Sequence, residues 1–149
     1  LQLNPSQVII LGGTNDIGWG IHVTEIYSNL EEMYDKAIHH GILLIACSIP
    51  SILGYDSLIP PRVRLNKMIH SYCKRKGTRY VDLFSATADP ATQRLSPQYS
   101  NDGLHLSAEG YRKVAETIFK EAFFPLINAS TETHGFDEPD KKELESQEH

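Results

Sequence analysis

The chain has 149 residues, 14 of them Lys or Arg and 19 Asp or Glu, for a formal net charge of −5, which is enough for one domain around a single core. Seven of the acids but only Lys141 and Lys142 fall in residues 129–149, so that segment carries the whole −5 and residues 1–128 are neutral. A neutral body has no basic field for a phosphate backbone, which argues against nucleic acid as a partner, and no apolar run approaches the ~20 residues that span a bilayer.

In chain order, the first apolar run is VIIL at residues 8–11, wholly apolar and β-branched, as expected of a strand buried on both faces. Gly12 and Gly13 end it and permit a sharp turn. A loop to Val23 follows, and Thr24 is the expected N-cap of a helix with Ile26, Leu30, Met33, Tyr34, Ala37 and Ile38 at helical spacing, stopped by Gly41. ILLIAC at residues 42–47 is the second predicted strand, followed by a loop over 48–60. Pro61 opens a helix with Leu65, Met68, Ile69, Tyr72 and Cys73 on one face and Gly77 as its stop. RYVDL at 79–83 is the third strand, and a long loop runs from Phe84 to Leu106. Ser107 caps a last helix with Tyr111, Val114, Ala115, Ile118, Phe119 and Ala122 expected inward and Pro125 ending it. Cys47 and Cys73 fall inside elements and read as buried free thiols, without metal spacing.

The β-α-β-α-β-α order predicts a parallel sheet covered by helices on both faces, a three-layer αβα arrangement of three strands and three helices. Three strands are fewer than the usual five or six, and strands this apolar need neighbours, so the expectation is an incomplete sheet with an N-terminal portion missing. Residues 1–127 are the expected domain, and residues 128–149 an acidic, disordered tail. The tail's Asn128-Ala129-Ser130 is a glycosylation acceptor triplet with meaning only in a secreted protein. The chain begins without Met, almost directly on a strand, so the lack of a leader says nothing about compartment.

Ligands of such sheets bind outside the carboxyl ends of the strands. The loops at that edge, 12–23, 48–60 and 84–106, bring two polar motifs to one rim: Gly12-Gly13-Thr14-Asn15-Asp16 and Asp102-Gly103-Leu104-His105. A carboxylate three residues from an imidazole can hold one ring nitrogen and leave the other as a general base. Asp102 equally suits an Asx-turn ahead of the helix, and Asn15 equally suits a turn cap.

Together GGTND and DGLH resemble the third and fourth conserved blocks of the SGNH (GDSL-type) esterase/lipase superfamily, over roughly residues 5–126. The resemblance implies a flavodoxin-like hydrolase fold and a serine-type ester hydrolase working through an acyl-enzyme on a small ester or lipid ester, without cofactor or metal. It makes His105 the base and Asp102 its orienter. It makes Asn15 a donor in the oxyanion hole, with Gly13 permitting the backbone geometry, and it leaves Asp16 to brace the loop. The G-D-S nucleophile block and the second-block Gly are absent; Ser57, in GYDSL at residues 54–58, lies downstream of GGTND where the family has its serine upstream. The chain is therefore expected to be the C-terminal part of such a hydrolase, inactive alone. A degenerate, non-catalytic scaffold of the same fold is one alternative. Another is a nucleotide-binding domain like the short-chain dehydrogenases, which GGTNDIG and the pair Tyr72/Lys76 imitate. Against that, the first long helix is expected only near Thr24, and the second strand ends in Ser48 rather than an acid. A metal-dependent phosphoesterase on Asp16, Asp102 and His105 lacks further ligands at recognisable spacing.

Overall fold

The computed structural model describes residues 3–125; the expected acidic tail and the Asn128 triplet lie outside the described residues. Strands β1 (Gln7–Ile10), β2 (Leu43–Cys47) and β3 (Arg79–Val81) form a parallel sheet in the order β1-β2-β3. Ile9 lies opposite Ile45, and Ala46 opposite Tyr80. Five α-helices accompany them: α1 (Thr14–Gly18), α2 (Val23–His39), α3 (Ile59–Lys76), α4 (Leu83–Thr87) and α5 (Ala108–Ile118). The architecture is the expected α/β one.

Because strand side chains alternate, β2 serves two cores. Leu44 and Ala46 join Ile10, Ile26, Leu30, Tyr34, Leu65, Ile69 and Tyr72 beneath α2 and α3. Ile45 and Cys47 join Val81, Leu83, Val114 and Ala122 beneath α5. The helices thus lie on both faces, as the element order requires. Both cysteines are free and buried, and burial pushes the Cys47 thiol up to about 12. No helix among the described residues is long and apolar enough to cross a membrane.

Several local expectations are corrected. Helices α1 and α4 occupy stretches expected as loop and strand end; each is a single turn, too short to carry a periodic apolar signal. Asp82 ends β3 early by capping α4 through Ser85 N–H. The cap of α2 is His22, whose ring accepts from Thr24 N–H, so the helix starts one residue before Thr24. Tyr111 and Ala115 of α5 and Phe119 just after it point outward, and Gly110, Val114 and Thr117 take the inner face. Met33 and Ile38 of α2 are likewise exposed.

Strand β1 is covered on one face only. Ile10 is buried, but Ile9 is 43% exposed, and Leu11 just beyond the strand is 46% exposed. With Leu43 of β2 they leave a bare apolar strip on the face that α5 covers farther along the sheet. On the other face an apolar groove lined by Pro5, Val8, Ile10, Met33, Ala37 and Ile42 runs beside the same edge. The outer edge of β1 pairs with no strand among the described residues.

Candidate active site

At the carboxyl end of β1 the chain turns into α1 through Gly13, which sits at φ +108° as the N-cap residue. A Cβ there would lie 2.7 Å from Leu65 Cδ2 and 3.0 Å from Ile26 Cγ2, so both conformation and space demand glycine. Asn15 follows in the first turn of α1 with an exposed side chain that makes no hydrogen bond among the described residues. Asp16 braces the loop through its backbone carbonyl, which accepts from Ile21 N–H at 2.9 Å. Helix α1 does start at the glycine turn, which removes one of the two sequence arguments against a dinucleotide site. The other stands, since β2 runs into Ser48. The polar ends of Tyr72 and Lys76 both go to Asp35, at 2.7 and 2.9 Å, so that pair is structural.

Beyond β3 the chain reaches the turn that carries Asp102 and His105. Ser100 and Leu106 close it as an isolated antiparallel bridge, and Ser107 then caps α5 by accepting from Gly110 N–H. Asp102 divides its carboxylate. Oδ1 accepts from Leu104 N–H at 2.9 Å and His105 N–H at 2.8 Å; Oδ2 lies 2.7 Å from His105 Nδ1. The Asx-turn and the histidine partner, alternatives in the sequence, are two oxygens of one side chain. First the His105 ring and then the two backbone N–H groups hold the Asp102 carboxyl well below the usual carboxylate range. An ionised carboxylate only accepts, so Nδ1 carries the shared proton and Nε2 of the neutral ring is unprotonated. Because the folded value lies below the unfolded one, this arrangement contributes stability above about pH 4 and loses it as pH falls toward the folded value.

The loop after β2 is tied to α3 and to the last loop. Asn66 of α3 clamps Ile49, accepting from its N–H at 2.8 Å and donating to its carbonyl at 3.0 Å. Ser51 Oγ donates to Gln93 O, Leu95 N–H to Ile52 O, and Leu53 N–H to Gly103 O at 2.8 Å. Residues 51–53 are thereby stitched to both arms of the last loop, and Gly103 sits directly against Leu53. Sequence reasoning missed Ser100 and Asn66; no motif marks them, because one acts through a lone hydroxyl and the other through a contact distant in the chain.

Of the apolar residues in the three strand-end loops, Ile49 and Ile52 are buried, whereas Trp19 (78% exposed), Tyr55 (62%), Ile21 and Leu104 face solvent. Ser57 lies exposed in a 3₁₀ turn, Asp56–Leu58.

Residues 1–113 match the model of the GDSL-like lipase/acylhydrolase family. Among solved structures the chain is similar to a protein from Bacteroides fragilis NCTC 9343 assigned to the acylhydrolases, with 25% identity, a TM-score of 0.73 and coverage of 86% of this chain and 64% of that one. It is also similar to a GDSL-like lipase from Bacteroides thetaiotaomicron VPI-5482, at 24% identity and TM-score 0.69 over 79% of this chain and 62% of that one. A third likeness is to a catalytic mutant of an acetylxylan esterase from Geobacillus stearothermophilus, at 17% identity and TM-score 0.72 over 83% and 62% of the two chains. The last two, below 25% identity, speak for the fold alone. The comparison with curated proteins gives no match. The chain thus spans less than two thirds of the length of these solved relatives.

Proposed function

The chain belongs to the GDSL-like lipase/acylhydrolase family, and from that premise we propose that it supplies the base, acid and one oxyanion donor of a serine-type carboxylic ester hydrolase. The observation that carries this reading is the 2.7 Å contact between His105 Nδ1 and Asp102 Oδ2 at the strand-end rim, with Nε2 turned away from it. In this scheme a serine hydroxyl attacks the ester carbonyl as its proton passes to His105 Nε2. Negative charge collects on the former carbonyl oxygen, which Asn15 Nδ2–H meets from the first turn of α1. Collapse expels the alcohol, which takes the proton from Nε2, and water repeats the sequence on the acyl-enzyme. Asp102 stays ionised throughout and holds the ring.

The nucleophile in this proposal comes from polypeptide outside residues 1–149. Three observations support it: among the described residues no serine, threonine or cysteine side chain hydrogen-bonds to the His105 ring; the relatives are longer; and the outer edge of β1 is unpaired among the described residues, with exposed Ile9 and Leu11 on one face and an apolar groove beside it on the other. A parallel strand beside β1 with a helix over Ile9, Leu11 and Leu43 would bury that surface and place a strand-end serine on the same rim. Exposed Trp19, Ile21, Tyr55 and Leu104 then contact the acyl or alcohol group of the substrate.

The test uses the full-length gene product with a short-chain aryl ester and a fluorophosphonate. Turnover, with the phosphonate on a serine outside residues 1–149, is expected. A product that neither turns over the ester nor takes the label is a non-catalytic scaffold, and the proposal fails. Within an active protein, Asn15→Ala should lower kcat by roughly 10²- to 10³-fold, the loss typical of one oxyanion donor, with KM nearly unchanged. An equal rise in KM at constant kcat would instead make Asn15 a ground-state contact.

A further inference from the structure

The Asp102–His105 pair is open to water: the two side chains are 55% and 79% exposed. A contact this exposed is weakened by solvent and screened by salt, so it cannot hold its own geometry; the backbone under it must. That backbone is the turn closed by the Ser100–Leu106 bridge. Ser100 is buried beneath it, 6% exposed. Its Oγ accepts from Gly103 N–H at 2.9 Å and lies 2.6 Å from His105 O and 3.2 Å from Asp102 Oδ1. A hydroxyl has one proton to give, and the shorter contact takes it, so Ser100 donates to His105 O. One oxygen thereby fixes the amide that follows Asp102 and the carbonyl of His105 itself. Oδ1 of Asp102 is already supplied by two backbone N–H groups, which leaves Oδ2 free to face the ring.

We infer that Ser100 is the positioning residue of the dyad: it touches no substrate, but its hydroxyl ties the two peptides whose relative placement sets the Oδ2–Nδ1 contact. The inference deepens the hydrolase reading and rests on it for its kinetic arm only. Without the hydroxyl, His105 O and Gly103 N–H lose their shared partner, the turn widens, and the ring is released from Asp102 to sample both tautomers.

The experiment is ¹⁵N NMR of the histidine rings in the full-length gene product, with assignment by a His105 substitution. The unsubstituted protein should show a single Nδ1–H tautomer for His105. Ser100→Ala should retain the amide spectrum elsewhere but give a mixture with a substantial Nε2–H share, and should lower kcat about 10²-fold, the scale of a small misplacement of a reacting group, at little change in KM. Ser100→Thr, which keeps the hydroxyl, should restore the single tautomer. A Ser100→Ala protein that keeps the pure Nδ1–H form overturns the inference, as does a mixture already present without substitution. If the variants do not fold, hydrogen exchange in the unsubstituted protein decides: the Gly103 amide, bound to Ser100, should exchange at least tenfold more slowly than that of exposed neighbour Asn101, and equal rates overturn it. The tautomer and exchange readouts need no turnover, so failure of the esterase reading is distinguishable from failure of this one.

Discussion

Turnover of a short-chain aryl ester is expected to fall by roughly 10⁴- to 10⁶-fold in His105→Ala, the scale seen when the base of a serine–histidine–acid set is removed. The loss should appear in kcat, because the imidazole moves a proton and adds little to ground-state binding. His105 is exposed and Nε2 has no partner among the described residues, so the substitution removes no packing and only the solvent-screened contact to Asp102, and the melting temperature should fall only slightly. That combination, a large kinetic loss with a small loss of stability, separates a catalytic histidine from a structural one. A variant retaining more than a tenth of the activity would end the assignment.

Gly103→Ala should do the opposite, with stability lost first. Gly103 has φ +87°, and a Cβ there would lie 2.3 Å from Leu53 O, a backbone atom that cannot move aside as a side chain would. The left-handed conformation costs a non-glycine residue about 1–2 kcal/mol, and forcing overlap into a packed contact adds about 1–3 kcal/mol. A total near 3 kcal/mol, read as a fall in the denaturant midpoint at constant slope, is the expected result. Gly54→Ala is the internal control: Gly54 has nearly the same φ, +89°, but nothing within 4 Å of its would-be Cβ, so only the conformational cost should register. Equal losses at the two positions would show that the Leu53–Gly103 contact is not the constraint. Because the same contact stitches the loop after β2 to the DGLH turn, Gly103→Ala should also displace His105 and lower activity in whatever fraction remains folded.

The contrast between these variants shows how much of the site was legible beforehand. Asp102 and His105 stand three apart in one tight turn, so their proximity is a local property that spacing alone exposes. Asn15 and Gly13 were placed on the same rim by topology, because a parallel β-α-β sheet puts every strand-to-helix loop at one edge. Ser100 and Asn66 escaped, since a hydroxyl turned under a loop or an amide clamping another loop's backbone leaves no period and no spacing. The inward assignment of Tyr111 and Phe119 failed for a related reason. Helical spacing locates an apolar stripe, but which part of the stripe finds a partner depends on what lies opposite, and along α5 the sheet reaches only Val114 and its neighbours.

The sequence by itself determined the order of the three strands and three long helices, the buried second strand, the parallel sheet and the nearness of an acid to an imidazole. Each follows from short-range periodicity, capping and turn chemistry. Only the tertiary structure decided that Asp102 splits its oxygens between turn and ring, that Gly103 must be glycine because Leu53 O lies against it, and that β1 stands bare on one face. These are relations between segments distant in the chain, set by packing and by the pairing of buried polar groups, which no local pattern encodes.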